Sequence, residues 1–295
     1  MKTQFRRWHP FCQFLFFAEV IGISMFVRQP VFLILSLLGA FCMAFCICRD
    51  KLWKRMLWIY LPMVVLSMVV NPLFSHEGMT ILTYFPDGNP LTAESLLYGL
   101  FMGVMLGAVL LWFFSFQEEM TWDRIQCVTG IFLPAVALML SMMLRFIPEF
   151  RRQAVRMMET RSALETEKTK RGRRRLLSRG IHVFSGLVTW SFEHSIQRSD
   201  SMRARGYGLP RRSRYRIFVW SRMDTIHTVV LAGLGAGMWQ CHMFGNTGYQ
   251  YYPWFRVNLG GAGVTACAVF FLLCLYPVIS CSLEERRWNY LQSKI

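Results

Sequence analysis

Seven apolar runs of roughly membrane-spanning length, interrupted by a single cationic block, constrain this chain more than any other feature. A helix needs ~20 mostly apolar residues to cross a hydrocarbon core. Runs of that order occupy residues 11–27, 31–48, 57–74, 96–116, 128–147, 223–239 and 260–282. With 54% of residues hydrophobic and 17% charged, the chain departs from soluble domains, which run near 45–50% and about 25%. Soluble globular, collagenous and disordered classes are excluded, and an all-α polytopic membrane protein is expected.

The charge is concentrated. Residues 145–222 hold 20 Lys and Arg against 6 Asp and Glu, a net of +14 out of the chain's +16. Short basic loops stay on the cytoplasmic side of a membrane. Lys2, Arg6 and Arg7 place the N-terminus there, and Arg49, Lys51, Lys54 and Arg55 do the same for the second loop. Residues 75–95 carry no Lys or Arg and belong outside. A full crossing by residues 128–147 would put the basic block outside as well. Pro134, Pro148 and Arg145 also weaken that run as a span. Residues 128–147 are therefore expected to lie in the interface or dip back. About six transmembrane helices remain, with both termini cytoplasmic. Glu19 and the lack of a small-residue cleavage site argue that the first run is an uncleaved span rather than a signal peptide.

The expected organisation is residues 1–127 as N-terminal spans, 128–222 as interfacial and cytoplasmic coupling helices, and 223–295 as C-terminal spans. In the fourth span Gly99, Gly103 and Gly107 form one stripe at four-residue spacing. Such a stripe serves either internal packing or docking of another membrane protein. Gly233-Leu234-Gly235-Ala236-Gly237 carries the same two readings. Pro86-Asp87-Gly88-Asn89-Pro90 marks an external turn, after which Thr92 reads as an N-cap with Glu94 in the first turn. The nine cysteines lie largely in apolar runs as small hydrophobes, without metal-ligand spacing, and no metal site is expected.

Within the basic block, apolar residues recur at helical spacing from Met142 to Met158, interleaved with Arg151, Arg152 and Arg156. A polar stretch over residues 163–175 reads as a turn. A second amphipathic helix carries Ile181, Phe184, Val188, Phe192 and Ile196. It should stop at Ala204-Arg205-Gly206-Tyr207-Gly208-Leu209-Pro210, with Gly206 left-handed and Pro210 preventing resumption. Arg205 then sits between small residues at an exposed helix tip, as a cap or as a plug for an acidic groove. The basic side chains also attract anionic lipid headgroups. Aromatic residues are not interleaved with the arginine runs, so nucleic acid is not an expected partner.

These strings resemble the transmembrane T component of energy-coupling-factor transporters, a family that includes cobalt-transporter permeases. The resemblance spans roughly residues 8–216. It rests on Trp8-His9-Pro10, Asn71-Pro72-Leu73-Phe74-Ser75-His76, Gly88-Asn89-Pro90, Leu140-Ser141-Met142-Met143-Leu144-Arg145-Phe146-Ile147-Pro148 and Asp200-Ser201-Met202-Arg203-Ala204-Arg205-Gly206-Tyr207-Gly208. It implies a scaffold rather than an enzyme, linking two ATP-binding-cassette ATPases to a substrate-binding S component for uptake of a vitamin or metal ion across a prokaryotic plasma membrane. Two helix-terminal arginine motifs would dock the ATPases, one at Ala204, Arg205 and Gly206. The other is approximated by Thr160, Arg161 and Ser162. Contact with the S component would fall to Leu140, Met143, Phe146, Ile147, Phe150, Phe184 and Val188, together with Gly99, Gly103 and Gly107. No cofactor would bind this chain directly, since ATP and its magnesium would belong to the ATPases, and no phosphate-binding Gly-x-x-x-x-Gly-Lys loop occurs here.

Two rivals are an intramembrane enzyme using Glu19, His182, His194 or His227, and a lipid-binding adaptor. The four enzyme candidates are scattered in the sequence, with no paired carboxylates and no nucleophile beside a base. The sidedness is directly testable. In a cysteine-free background, Arg173→Cys should react with an impermeant maleimide only after the membrane is opened, and labelling in intact cells would reverse the topology.

Overall fold

In the computed structural model the described residues are 5, 7–47, 56–75, 77–84, 90–164, 173–207, 209, 218–244, 249–253, 255–257 and 260–292. The helices are α1 (Pro10–Phe26), α2 (Pro30–Ile47), α3 (Leu61–Phe74, entered through a π turn at Met56–Tyr60) and α4 (Ala93–Glu119). There follow α5 (Trp122–Phe132), α6 (Pro134–Leu164), α7 (Arg173–Ala204), α8 (Arg222–Phe244) and α9 (Gly261–Gln292). Two short antiparallel hairpins complete it, β1 (Ile81–Tyr84) with β2 (Pro90–Thr92) and β3 (Tyr249–Gln250) with β4 (Arg256–Val257). The all-α class holds. By length and composition α2, α4 and Gly261–Leu283 of α9 can each cross a membrane, while Pro10–Phe26 and Trp58–Phe74 are apolar but shorter.

The chain divides into two compact units, Met1–Val128 with Phe218–Ile295, and Thr129–Ile217. The two outer sequence segments thus pack as one body. In it, α4 lies against α1, α2 and α3, while α9 packs on α2 and α8. Phe16, Phe17, Phe32, Leu111, Trp112, Leu231, Phe270 and Leu273 form its core, each nearly free of solvent. Cys267, Cys274 and Cys281 are buried as small apolar groups. Gly39 admits α9 closely, since a Cβ there would stand 2.7 Å from Cys274 Cβ.

Polar side chains tie these apolar helices together. Trp112 Nε1 donates to Ser36 Oγ at 3.2 Å, and Ser24 Oγ donates to the Val20 carbonyl at 2.7 Å. The 2.6 Å contact between Ser36 and Ser24 is therefore donated by Ser36, which completes a buried relay. At one end of the body Phe5, Ile47, Glu119 and Cys281 line one small cavity. At the other, Tyr251 donates to the Arg28 carbonyl at 2.7 Å and Ser75 meets Tyr252. Helices α1, α3 and α8 consequently run one way and α2, α4 and α9 the other. The expected N-cap also forms, with Ser95 N donating to Thr92 Oγ1 at 3.4 Å and Glu94 accepting from Thr80 N.

The glycine stripe corrects one expectation. Gly99, Gly103 and Gly107 are buried, and α3 of the same chain covers them. A Cβ on Gly99 would meet the Ser67 carbonyl at 2.8 Å, and one on Gly103 would meet Val64 Cα at 2.9 Å. Ser67 Oγ donates to the Gly99 carbonyl at 3.0 Å, and Asn71 Nδ2 to the Ser95 carbonyl at 2.7 Å. The three glycines are spent on packing and are not a free face for an S component. Pro72 is the sole buried residue of α3, so this stripe carries its attachment.

Gly103→Ala should therefore lower stability by about 1–3 kcal/mol, the usual cost of overpacking. Gly107→Ala, where a Cβ would sit 3.7 Å from Val64, should be tolerated. Thermal unfolding in detergent, followed by size exclusion, distinguishes the two.

Candidate docking helices

The second unit is built from α6 and α7. The 128–147 stretch is shared between α5 and α6 with Leu133 between them: Leu133 N still donates to the Thr129 carbonyl at 2.8 Å, but Pro134 has no amide hydrogen to make the next bond of the ladder. Helix α6 then runs 31 residues to Leu164 and α7 runs 32 residues to Ala204. Residues 165–172, most of the expected turn, lie outside the described residues. So do His76, residues 86–89, Gly208 and Pro210, named in the sequence analysis.

The two helices cross antiparallel. Phe150 meets Trp190 edge-on at 5.4 Å, and Phe146 lies 6.2 Å from His194. Further along, Gly186 sits where a Cβ would be 3.2 Å from Met157 Sδ. Glu149 accepts from Arg198 Nη2 at 3.2 Å and lies 3.6 Å from His194 Nε2. Arg198 also lies 4.3 Å above the Phe146 ring, and His194 stacks on Trp190 at 4.8 Å. This cluster was not legible in the sequence. The nearest signal was the helical spacing of Trp190, His194 and Arg198, four residues apart, which marks a single face but not its partner.

The cluster revises the expected S-component surface. Phe146 and Phe150 are half-buried in the seam between α6 and α7, so they hold the pair together. Leu140 is half-buried, whereas Met143, Ile147, Phe184 and Val188 remain exposed. With Ile181, Phe192 and Ile196, also exposed, they leave one apolar stripe on each helix open.

The end of α7 has the expected geometry. Gly206 is left-handed at φ +77°. Tyr207 N donates to the Met202 carbonyl at 3.0 Å and Gly206 N to the Arg203 carbonyl at 2.9 Å. Those two bonds are the Schellman pair that closes a helix C-terminus. Leu209 folds back until its Cδ1 would be 3.1 Å from a Gly206 Cβ. Arg205 occupies the C-cap position between two small residues and is exposed. The other motif differs. Thr160, Arg161 and Ser162 are exposed in the last turn of α6, with Thr160 Oγ1 donating to the Arg156 carbonyl and Ser162 Oγ to the Glu159 carbonyl. No helix break falls within that string. From the antiparallel register, the rise of 1.5 Å per residue separates the Arg161 and Arg205 levels by ~35 Å along the pair.

Within each unit the residues proposed for the enzyme rival have separate surroundings. His227 stacks on Trp8 at 4.0 Å and hydrogen-bonds Tyr276 at 2.7 Å, while Glu19 packs against Gly235. The rise of α7 separates His182 from His194 by ~18 Å. Among the described residues no three His, Cys, Asp or Glu side chains gather as a metal site.

A curated relative, the energy-coupling factor transporter transmembrane protein EcfT 1 of Listeria monocytogenes serotype 1/2a (strain 08-5578), is 30% identical over 200 residues, covering 63% of this chain and 71% of the relative. The chain belongs to the EcfT family. No family model matches it. Membership makes it a transmembrane T component of an energy-coupling-factor transporter, not itself a catalytic enzyme.

For an EcfT protein whose α7 ends in a Schellman cap, Gly206→Ala should cost about 1 kcal/mol locally, because φ > 0 penalises a Cβ. Hydrogen exchange should then accelerate at the amides of residues 205–207 and leave those of residues 186–198 unchanged.

Proposed function

We propose that this chain couples ATP hydrolysis by two ABC ATPase subunits to an S component that takes up a vitamin or metal ion. It would do so in a prokaryotic plasma membrane, with about six spans and both termini cytoplasmic. In this reading residues 1–127 and 223–295 anchor the chain, and residues 128–222 carry force. ATP and magnesium stay on the ATPases, and the substrate stays with the S component.

The observation that supports this best is the exposed, capped arginine of α7. A guanidinium fixed at a helix terminus loses little further freedom on docking, and its fork suits a carboxylate-lined groove. The ~35 Å spacing of Arg161 and Arg205 along an antiparallel pair offers one tip to each of two ATPases. The seam at Glu149, Arg198 and Trp190 favours movement of both helices as a pair. The open stripes of Met143 and Ile147 on α6 and of Phe184 and Val188 on α7 would face the S component or lipid.

Arg205→Glu should abolish co-purification of the ATPases while leaving membrane insertion intact. Arg161→Glu should weaken it by a smaller factor, since its string lies inside a helical turn. Undiminished ATPase binding by the Arg205 variant would remove the docking role.

A further inference from the structure

One face of α6 takes no part in the seam. Helical spacing of i, i+3, i+4, i+7 and i+8 aligns Pro148, Arg151, Arg152, Val155 and Arg156, and these five residues line a shallow open groove. Phe146, Phe150 and Met157, which meet α7, lie on the opposite side of the helix. Pro148 and Val155 form the floor, with Arg151 on one flank and Arg152 and Arg156 on the other. All three arginines are exposed, and among the described residues none has an acidic partner. Glu159 ends the row one turn further on. Beside Arg151, the exposed Ile147, Val155 and Met158 make an apolar edge, at 63%, 46% and 48% exposure.

A cationic groove with an apolar edge matches the boundary between headgroups and acyl chains, where phosphates and the first methylenes meet. A purely acidic protein groove would leave Ile147 and Met158 without a use. The geometry points to a binding site for an anionic phospholipid on this face, with the phosphate held among Arg151, Arg152 and Arg156 and the acyl chains along Ile147, Val155 and Met158. The site rests on the cytoplasmic placement of residues 128–222 proposed above, and it would hold the pivot of the α6–α7 pair at the inner membrane surface.

Native mass spectrometry of the full-length chain in detergent tests this with dioleoyl phosphatidylglycerol, dioleoyl phosphatidylcholine as the neutral control, and inorganic phosphate as competitor. The chain should retain phosphatidylglycerol in preference to phosphatidylcholine. Arg151→Gln, Arg152→Gln and Arg156→Gln combined should weaken that retention at least tenfold, given roughly fivefold for each basic side chain near a charged surface. The matching triple Lys variant should keep most of it. Two results would overturn the site: unchanged phosphatidylglycerol retention in the Gln variant, whether or not that variant loses the ATPases, or complete displacement of the lipid by millimolar phosphate. Arg205→Glu separates this site from the docking reading, since it should lose the ATPases and keep the lipid.

Discussion

One carboxylate decides how the ends of this chain come together. Asp224 accepts from Ser221 N at 2.9 Å, and Ser221 Oγ accepts from Met223 N, which closes a capping box at the start of α8. The other Asp224 oxygen accepts from His9 N at 2.9 Å, and His9 Nδ1 in turn accepts from Phe11 N at the start of α1. Two helices more than two hundred residues apart thus satisfy their orphan amides through one buried acid. Asp224 is only 6% exposed, and a buried carboxylate is stabilised there by the positive ends of two helix dipoles. Helices α8 and α9 are held on α1 and α2, and residues 129–217 are left as a unit of their own.

The two units use opposite means of cohesion. In the unit that holds the three candidate spans, lipid would offer little apolar driving force between helices, and attachment comes from close backbone approach and hydrogen bonds. Gly99, Gly103 and Gly39 supply the approach, while Asn71, Ser67, Ser36 and Trp112 supply the bonds. A further buried tie runs from the Phe5 carbonyl through Gln13 to Arg124. In the α6–α7 unit, a seam of aromatic rings and one shared carboxylate, Glu149, joins two long helices that expose much of their remaining surface. Such a pair can present arginine tips, an open apolar stripe and a cationic groove at once, because only one narrow face is used internally.

Legibility followed locality. The Thr92 N-cap, the left-handed Gly206 and the end of α7 depend on residues within a few positions of each other, and their residue types announce them. The glycine stripe was visible as a stripe, yet its partner was not, because Val64 and Ser67 lie on another helix with no matching pattern. Phe146 and Phe150 read as one apolar face with Met143 and Ile147, and a face alone does not say which part meets a neighbour. Glu149, Trp190 and His194 gave no signal as a group, since their meeting requires an antiparallel crossing of two helices.

The residue order by itself determined the helical membrane class, the position of the cationic segment and the arginine-bearing cap at Arg205, since each depends on hydrophobic length, summed charge or backbone sterics over a few residues. Only the tertiary structure decided that α8 and α9 pack back on α1 and α2, that α3 covers the glycines, and that Phe146 and Phe150 face α7. Those outcomes depend on which surfaces meet across long stretches of chain, and such pairings are settled by shape and by buried polar partners such as Asp224.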